Sequence, residues 1–305
     1  MRGKGLSERD GARASRFFSR KIRRTFPSHT HASLSAVRKF QETVWKYYKE
    51  NARKELPWRK TRDPYYILVS EIMLQQTQVD RVKPFYLAFI KKFPTIQKLS
   101  TAPLADVLKI WQGLGYNSRA KRLQDTAKAM IVRHDGIMPK DTAMLEALPG
   151  IGPYTSKAIV AFAYNHDAIL IETNIRTTIS HHFFHDKEGI TDEQILKVLK
   201  RVLPKGKSRE WYSALMDYGS HLKRSGIRIN NKSKTYTRQS KFTGSDREAR
   251  GVILKALAKN EHTKLQLLKL LGETRKYQLE TQHTKLLKEG LIEKQKRGSR
   301  YQLPR

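Results

Sequence analysis

The chain has 305 residues, and its 61 Lys and Arg residues against 28 Asp and Glu give a formal net charge of +33 at pH 7. A chain this basic is attracted to polyanions. Nucleic acid is the commonest of these, although a ribosome-associated or membrane-associated basic protein has a similar charge. The absence of cysteine excludes disulfides, a Cys nucleophile, thiolate zinc sites and iron–sulfur clusters. No apolar run approaches the ~20 residues of a membrane span, so we expect no membrane partner.

The first 33 residues are rich in arginine and low in acidic residues. We expect a disordered arm here, or a gene start placed too far upstream. An organelle transit peptide has the same composition and stays open as an alternative.

Apolar residues recur with helical spacing over residues 34–222, and few segments alternate with the period of a strand. We therefore predict a mainly α domain there. Its expected helices lie at residues 33–53, 65–74, 82–93, 103–111, 119–134, 142–148, 154–164, from 174 onward, 191–202 and 210–222.

Leu148–Thr155 reads Leu-Pro-Gly-Ile-Gly-Pro-Tyr-Thr and joins two of these helical patterns. Such a sequence predicts a tight hairpin that points backbone N–H groups outward at a helix N-terminus, where they bind a DNA phosphate. Gly150 and Gly152 let the DNA approach the backbone closely, and Thr155 follows them. Glu172 comes one helix later, where a carboxylate can act on a DNA-bound sugar.

Residues 223–245 contain seven Lys or Arg residues and no acidic residue, and nothing in them is periodic. This basic linker is either a solvated connector or a strap that follows the DNA backbone, and its unopposed charge favours DNA contact.

Residues 246–305 show three short helical patterns, a glycine at 290 that ends the third, and a hairpin of strands 291–294 and 299–303. Three helices and a two-stranded wing predict a small winged helix. Many such modules bind DNA and others bind protein. Four basic residues of the wing favour DNA: Lys294, Lys296, Arg297 and Arg300.

Residues 57–222 resemble the helix-hairpin-helix (HhH-GPD) glycosylase superfamily and, within it, the adenine DNA glycosylase (MutY) family. The hairpin alone marks the superfamily. The narrower resemblance rests on Pro57-Trp58-Arg59, Ser70–Val79 with its Glu and Leu-Gln-Gln-Thr-Gln, and Gly113-Leu-Gly-Tyr116. It implies a two-lobed, all-helical glycosylase fold ahead of the winged helix.

The resemblance places the family's general acid at Glu71. Adenine leaves poorly as an anion, so cleavage of its glycosidic bond needs a proton, which a carboxyl in a dry pocket can supply. The alternative is a carboxylate in an N-terminal helix turn, placed to complement the helix dipole.

Glu172 stands where the family has Asp, opposite the developing oxocarbenium ion. The extra methylene shifts the carboxylate, and a misplacement on the order of 1 Å can cost ~100-fold in rate. A helix N-cap neighbour is the alternative role for Glu172. Asn174 falls at the family's Asn position and is expected to orient Glu172 or its water.

Tyr154 falls where the endonuclease III branch of the superfamily has a Schiff-base lysine. Because tyrosine forms no Schiff base, we expect base removal without efficient strand cleavage. Lys157, one turn further on, is a candidate for weak lyase activity. Packing beneath the hairpin is the structural alternative for Tyr154.

The resemblance further implies DNA contacts near an extruded base, which leaves a hole for side chains to fill. Trp58 and Arg59 are expected near the adenine pocket, and Tyr116 is expected near the lesion. A position in the protein core is the alternative for Trp58. The stretch expected to enter the duplex consists of Gln75, Gln76 and Thr77.

No metal site is expected. Three histidines, at 181, 182 and 185, lie close in sequence, but adjacent histidines on a helix point apart and no thiolate can join them. The chain also lacks the four-cysteine cluster that most of the family carries, so we expect no cofactor.

We also expect the winged helix to stand in place of the family's C-terminal domain that senses 8-oxoguanine. We expect a monomeric, monofunctional repair glycosylase that acts on duplex DNA and excises adenine mispaired with 8-oxoguanine or G. A thymine or uracil mismatch glycosylase and a catalytically inactive DNA-binding protein are the alternatives. The expected location is the cytoplasm, at the nucleoid, if the source is bacterial, and otherwise the nucleus or an organelle.

Overall fold

The computed structural model describes residues 33–227, residue 229 and residues 241–305. The predicted N-terminal arm, apart from its last residue, and most of the predicted basic linker lie outside the described residues. The chain divides into two compact units: described residues 33–55 and 160–229 belong to the first, and 56–159 and 241–305 to the second.

The first unit consists of packed helices with an aromatic core. Phe40 is fully buried, and its ring meets the ring of Trp211 edge-on at 5.8 Å between centroids. Offset and edge-on ring pairs add stabilisation beyond the burial of their apolar area. The helices are α1 (Leu34–Asn51), α9 (Thr173–Phe183), α10 (Asp192–Val202) and α11 (Ser208–Arg224).

The second unit begins with a 3₁₀ turn at Pro57–Arg59 and contains the central helices. They are α2 (Pro64–Leu74), α3 (Val79–Lys92), α4 (Ile96–Thr101), α5 (Leu104–Trp111), α6 (Ser118–His134) and α7 (Thr142–Glu146). The next helix, α8 (Pro153–Tyr164), begins in the second unit and ends in the first. The sequence did not predict α4, which begins at a Thr95 side-chain cap.

The winged module, residues 246–305, completes the second unit. It comprises α12 (Asp246–Lys259), β1 (His262–Thr263), α13 (Lys264–Leu271), a 3₁₀ turn at Glu273–Arg275, α14 (Lys276–Lys288), β2 (Glu293–Lys294) and β3 (Arg300–Gln302). The strands form an antiparallel sheet in the order β1-β3-β2. This confirms the predicted winged helix, and β1 is an additional strand that the sequence did not indicate.

The winged module packs against α5 and the residue that follows it. The Ala105 amide donates to the Pro304 carbonyl at 2.9 Å, and the Gln112 side chain donates to the Leu254 carbonyl at 3.3 Å. The module is therefore part of the second unit. The domain boundaries at 222/223 and 245/246 stay predictions.

The mainly α fold class is confirmed over the described part of the chain. Within those residues, no helix combines the length and apolar character needed to cross a membrane.

Candidate active site and DNA-contact loops

Glu71 lies on α2, a helix that starts with an Asp63 cap and with proline at its first position. It is the eighth of the 11 residues of α2 and only 7% exposed. The interpretation of Glu71 as a carboxylate in an N-terminal turn is therefore wrong. The dipole of α2 disfavours a negative charge this close to its C-terminus.

Tyr154 contacts Glu71 directly. The Tyr154 hydroxyl donates to Oε2 of Glu71 at 2.9 Å. Tyr154 is the second residue of α8, immediately after the glycine hairpin. Next to this pair, the side chain of Gln75 approaches Oγ1 of the buried Thr155 at 3.5 Å. The hairpin thus delivers a polar hydroxyl to a buried carboxyl.

The hairpin requires glycine at Gly150. Its φ is +87°, and a Cβ there would stand 3.0 Å from Cβ of Arg122. Thr126 fixes the same turn by donating to the Pro149 carbonyl at 2.5 Å. A Cβ on Gly152, in contrast, meets nothing within 4 Å.

These two glycines give a matched test of phosphate binding. We expect Gly150→Ala to lower the free energy of unfolding by about 1–3 kcal/mol, because alanine disfavours a left-handed backbone. Gly152→Ala should leave it within about 0.5 kcal/mol but weaken duplex binding, because its methyl group occupies the space that a phosphate would enter. Denaturant unfolding and fluorescence anisotropy measure the two effects. Parental affinity in Gly152→Ala would exclude a phosphate at this position.

Gln75, Gln76 and Thr77 form the loop between α2 and α3. Gln76 has a φ of 56°, a left-handed conformation that is uncommon outside glycine. The loop of residues 113–117 contains Tyr116, which the resemblance places near the lesion and which has a φ of 48°. Strained non-glycine residues of this kind persist where the surrounding structure holds them, often at functional sites.

Arg119 connects the two loops. It is 4% exposed and lies in the first turn of α6. Its guanidinium donates to carbonyls of both loops and of the end of α2: Ile72 at 2.9 Å, Met73 at 2.9 Å, Gln75 at 2.5 Å, Leu114 at 3.4 Å, Gly115 at 3.0 Å and Tyr116 at 3.4 Å, with Oγ1 of Thr77 at 3.1 Å.

Our sequence analysis gave Arg119 no role. A signal was present, since Arg119 falls in register with Leu123, Ala127 and Met130, which form the buried stripe of α6. Burial lowers the pKa of Arg119 to about 10, so the side chain remains cationic at neutral pH. A buried cation needs this many acceptors to offset its lost hydration.

Three other predicted contact residues lie in different surroundings. Trp58 is 9% exposed and packs edge-on against Tyr86 with ring centroids 5.4 Å apart, which is the core position named as its alternative. Arg59 ends the 3₁₀ turn and is half-buried. Tyr116 is half-buried and lies under two guanidinium groups, with Cζ of Arg119 at 5.5 Å and Cζ of Arg247 at 5.6 Å from its ring centroid.

In the first unit, Glu172 is itself the N-cap of α9. Its Oε1 accepts from the amides of Asn174 at 2.7 Å and Ile175 at 2.8 Å, and the Asn174 side chain donates to Oε2 at 3.2 Å. Both the amide and the side chain of Asn174 therefore contact the Glu172 carboxylate. Burial raises the pKa of Glu172, while these hydrogen bonds and the charge of Lys223 act in the opposite direction.

Lys223, assigned to the linker by the sequence, lies in the last turn of α11. Its Nζ donates to Oδ1 of Asn174 at 2.8 Å. Burial lowers the pKa of Lys223, and the charge of Glu172 opposes this shift. A chain of Lys223, Asn174 and Glu172 therefore fixes the position of the carboxylate.

His181 and His182 are buried on α9. Nε2 of His182 lies 3.1 Å from the Tyr218 hydroxyl, and burial lowers the pKa of His181 to about 4. His185 pairs with Asp186 at 2.5 Å. Within the described residues, no three His, Asp or Glu side chains are grouped to hold a metal ion.

Comparisons with known proteins agree with this arrangement. Residues 69–205 match the family model described as "HhH-GPD superfamily base excision DNA repair protein". The chain is 37% identical over 182 residues to the adenine DNA glycosylase of Buchnera aphidicola subsp. Baizongia pistaciae, and 34% identical over 225 residues to that of Mycolicibacterium smegmatis. These matches cover 59% and 68% of this chain.

The chain spans about half the length of the first relative, 52%, and 77% of the second. Among solved structures, a thermostable thymine-DNA glycosylase is 27% identical with a TM-score of 0.54, over 61% of this chain and 86% of its own. Three findings indicate the same family: the match to one relative over 77% of its length, the match to the family model, and the buried glutamate beside the hairpin. The chain belongs to the adenine DNA glycosylase family of the HhH-GPD superfamily.

Proposed function

We propose that this chain is a monofunctional DNA N-glycosylase that removes adenine mispaired with 8-oxoguanine or guanine from duplex DNA. The observation that carries the proposal is the buried Glu71, hydrogen-bonded to Tyr154 at the start of the helix that follows the hairpin. The relatives named adenine DNA glycosylase support the choice of base.

The proposed reaction begins with a DNA phosphate at the hairpin and an extruded adenine. Glu71 gives its proton to the purine as the bond from C1′ to the base nitrogen breaks, and the bonding electrons leave with adenine. The carboxylate of Glu172 stabilises the cation that remains on the sugar. Water adds its hydroxide to C1′ and releases a proton, and the products are adenine and an abasic site.

Tyr154 in this proposal keeps Glu71 in place and leaves the DNA strand intact. A Schiff base needs an amine, and the phenol of Tyr154 cannot supply one. Lys157, one turn further along α8, is the candidate for residual strand cleavage. We also propose that the enzyme works without an iron–sulfur cluster, because the chain has no cysteine to bind one.

The second candidate function is removal of thymine or uracil from mismatches with G. The similarity to a thymine-DNA glycosylase favours it. The Gln75–Thr77 loop favours adenine by resemblance to the family.

Single-turnover base release from duplexes with A:8-oxoguanine, A:G, G:T and G:U distinguishes the candidates. We expect adenine release that appears as strand breaks only after alkali, and its loss in Glu71→Gln, which keeps the shape but not the acid. Release of thymine or uracil would change the proposed substrate and leave the proposed cleavage of the glycosidic bond unchanged. Binding without any release would reject the proposal in favour of a DNA-binding protein.

The fall in rate on the acid side of the pH–rate profile (the acid limb) should follow the protonation of the Glu172 carboxylate. The carboxylate must be ionised to stabilise the cation, so the rate should fall as the pH drops through a pKa that burial has raised. Lys223 lowers this pKa through its charge, and Lys223→Met should therefore move the acid limb to higher pH. Arg224→Met, at the exposed neighbouring position, should leave it in place. An unchanged limb in Lys223→Met would assign it to another group.

A further inference from the structure

A cluster of two aromatic rings and an arginine lies where the winged module meets the loop after α5. This aromatic–arginine cluster consists of Tyr116, Phe242 and Arg247. Cζ of Arg247 is 5.6 Å from the ring centroid of Tyr116 and 5.9 Å from that of Phe242, and its Nη1 donates to the Tyr116 hydroxyl at 3.2 Å. The guanidinium thus brings together rings that are 126 positions apart in sequence.

The cluster is held from two sides. On one side, the Arg119 side chain donates to the carbonyl of Tyr116, whose backbone is left-handed. Arg247 is the second residue of α12, whose Leu254 carbonyl accepts from Gln112. The winged module therefore approaches the loop that carries Tyr116, the residue that the resemblance places near the lesion.

Phe242 leaves much of its ring in solvent, with 59% of its surface exposed. Its neighbour Lys241 is also exposed. An aromatic ring beside cations is the combination on which unstacked bases stack, at about 1–3 kcal/mol per base. The inference rests on the position of the ring, since Phe242 lies beside the guanidinium of Arg247, which also contacts Tyr116.

The nearby acidic side chains are engaged within the module. Asp246 accepts from the Gln278 side chain at 2.9 Å. Glu248 accepts from the Gly244 amide at 2.7 Å and from Arg275 at 3.1 Å. These contacts hold the turn that carries Phe242, and the net charge of +33 on the whole chain favours a polyanionic ligand.

We propose that the aromatic–arginine cluster binds the same DNA duplex as the hairpin, and that Phe242 stacks on a base left unstacked by extrusion. The winged module then extends the DNA-contact surface of the second unit through its junction with the Tyr116 loop. This inference rests on the proposed function, because it takes damaged duplex DNA as the ligand.

The test uses the full chain and a duplex with a tetrahydrofuran abasic-site analogue, which needs no base release. We expect Phe242→Ala to weaken binding about tenfold without lowering the melting temperature, and Arg247→Ala to weaken it as well. The matched control is Val132→Ala, an exposed apolar residue on α6 about 20 Å along the helix from Arg119. A 2-aminopurine opposite the analogue should be quenched by the parent and brighter with Phe242→Ala.

Parental affinity and quenching in Phe242→Ala would overturn the inference. A loss confined to Tyr277→Ala, at the 86% exposed position on α14, would overturn it too and place the contact on that helix. If the parent protein releases a base but Phe242→Ala binds the duplex as tightly as the parent, this inference is rejected and the proposed function stands. If binding depends on Phe242 but the parent releases no base from any mismatch, the proposed function is rejected and this inference stands.

Discussion

Replacing Arg119 by alanine is expected to lower the free energy of unfolding by about 4 kcal/mol. The guanidinium of the 4% exposed Arg119 donates to six carbonyls and the Thr77 hydroxyl. Alanine removes the donor from these acceptors, and each one that stays buried and unsatisfied costs about 1–3 kcal/mol before relaxation reduces the sum. Denaturant unfolding followed by circular dichroism measures the loss.

Two further variants separate geometry from charge. Arg119→Lys keeps the cation but loses the planar fork that reaches both loops, so we expect it to regain less than half of the stability. Lys128→Ala removes an exposed cation from the same helix and should change stability by less than about 0.5 kcal/mol. A lysine variant as stable as the parent would show that charge alone is needed at this position.

Arg119 is also expected to link stability to DNA binding. It holds the loops of Gln76 and Tyr116, whose left-handed backbones are costly without support. In Arg119→Lys these loops should sample other conformations while the helices stay folded. We therefore infer that its duplex affinity falls by more than its stability loss explains.

Helices with a regular apolar stripe and clear end signals were predicted closely. Residues 119–134 were expected as a helix and α6 runs over Ser118–His134, because its buried residues repeat with helical spacing. The turn at Gly150 was likewise predictable from local sequence, since a left-handed backbone favours glycine. Such features depend on neighbours a few residues apart.

Features that depend on distant neighbours were missed. The seven acceptors of Arg119 come from two loops and from the end of α2, and no local pattern identifies them. The alternative role given to Glu71, in an N-terminal turn, was wrong although the expected bounds of its helix, 65–74, nearly match Pro64–Leu74. The Tyr154 hydroxyl that contacts Glu71 lies 83 positions later, where no local pattern reveals it. Lys223 was assigned to the linker because its charge matched the residues after it, whereas its partner Asn174 lies 49 positions earlier.

The second large effect is expected at Gly219, which our sequence analysis did not single out. It lies on α11 where that helix crosses the start of α9, and a Cβ there would stand 2.2 Å from the Asn174 carbonyl oxygen and 2.8 Å from Oγ1 of Thr178. No backbone tolerates this approach, so Gly219→Ala must push α9 away from α11. We expect the free energy of unfolding to fall by about 3 kcal/mol.

The control is another helical glycine with the opposite expectation. A Cβ on Gly251 of α12 meets nothing within 4 Å. Gly251→Ala should therefore raise stability by up to about 1 kcal/mol, because alanine favours the helix. If both substitutions raise stability alike, the close approach of α9 and α11 at Gly219 is wrong.

The same pair tests how Glu172 is positioned. Asn174 contacts both Glu172 and Lys223, so a shift of its backbone moves the carboxylate that is proposed to stabilise the cation. A displacement on the order of 1 Å is enough for a ~100-fold loss of rate. We expect Gly219→Ala to lose single-turnover base release at temperatures where circular dichroism shows it folded, while Gly251→Ala keeps the parental rate. Because Gly219 bears no side chain, the substitution removes no side-chain contact, and a loss of activity would follow from the displacement that the added methyl group causes.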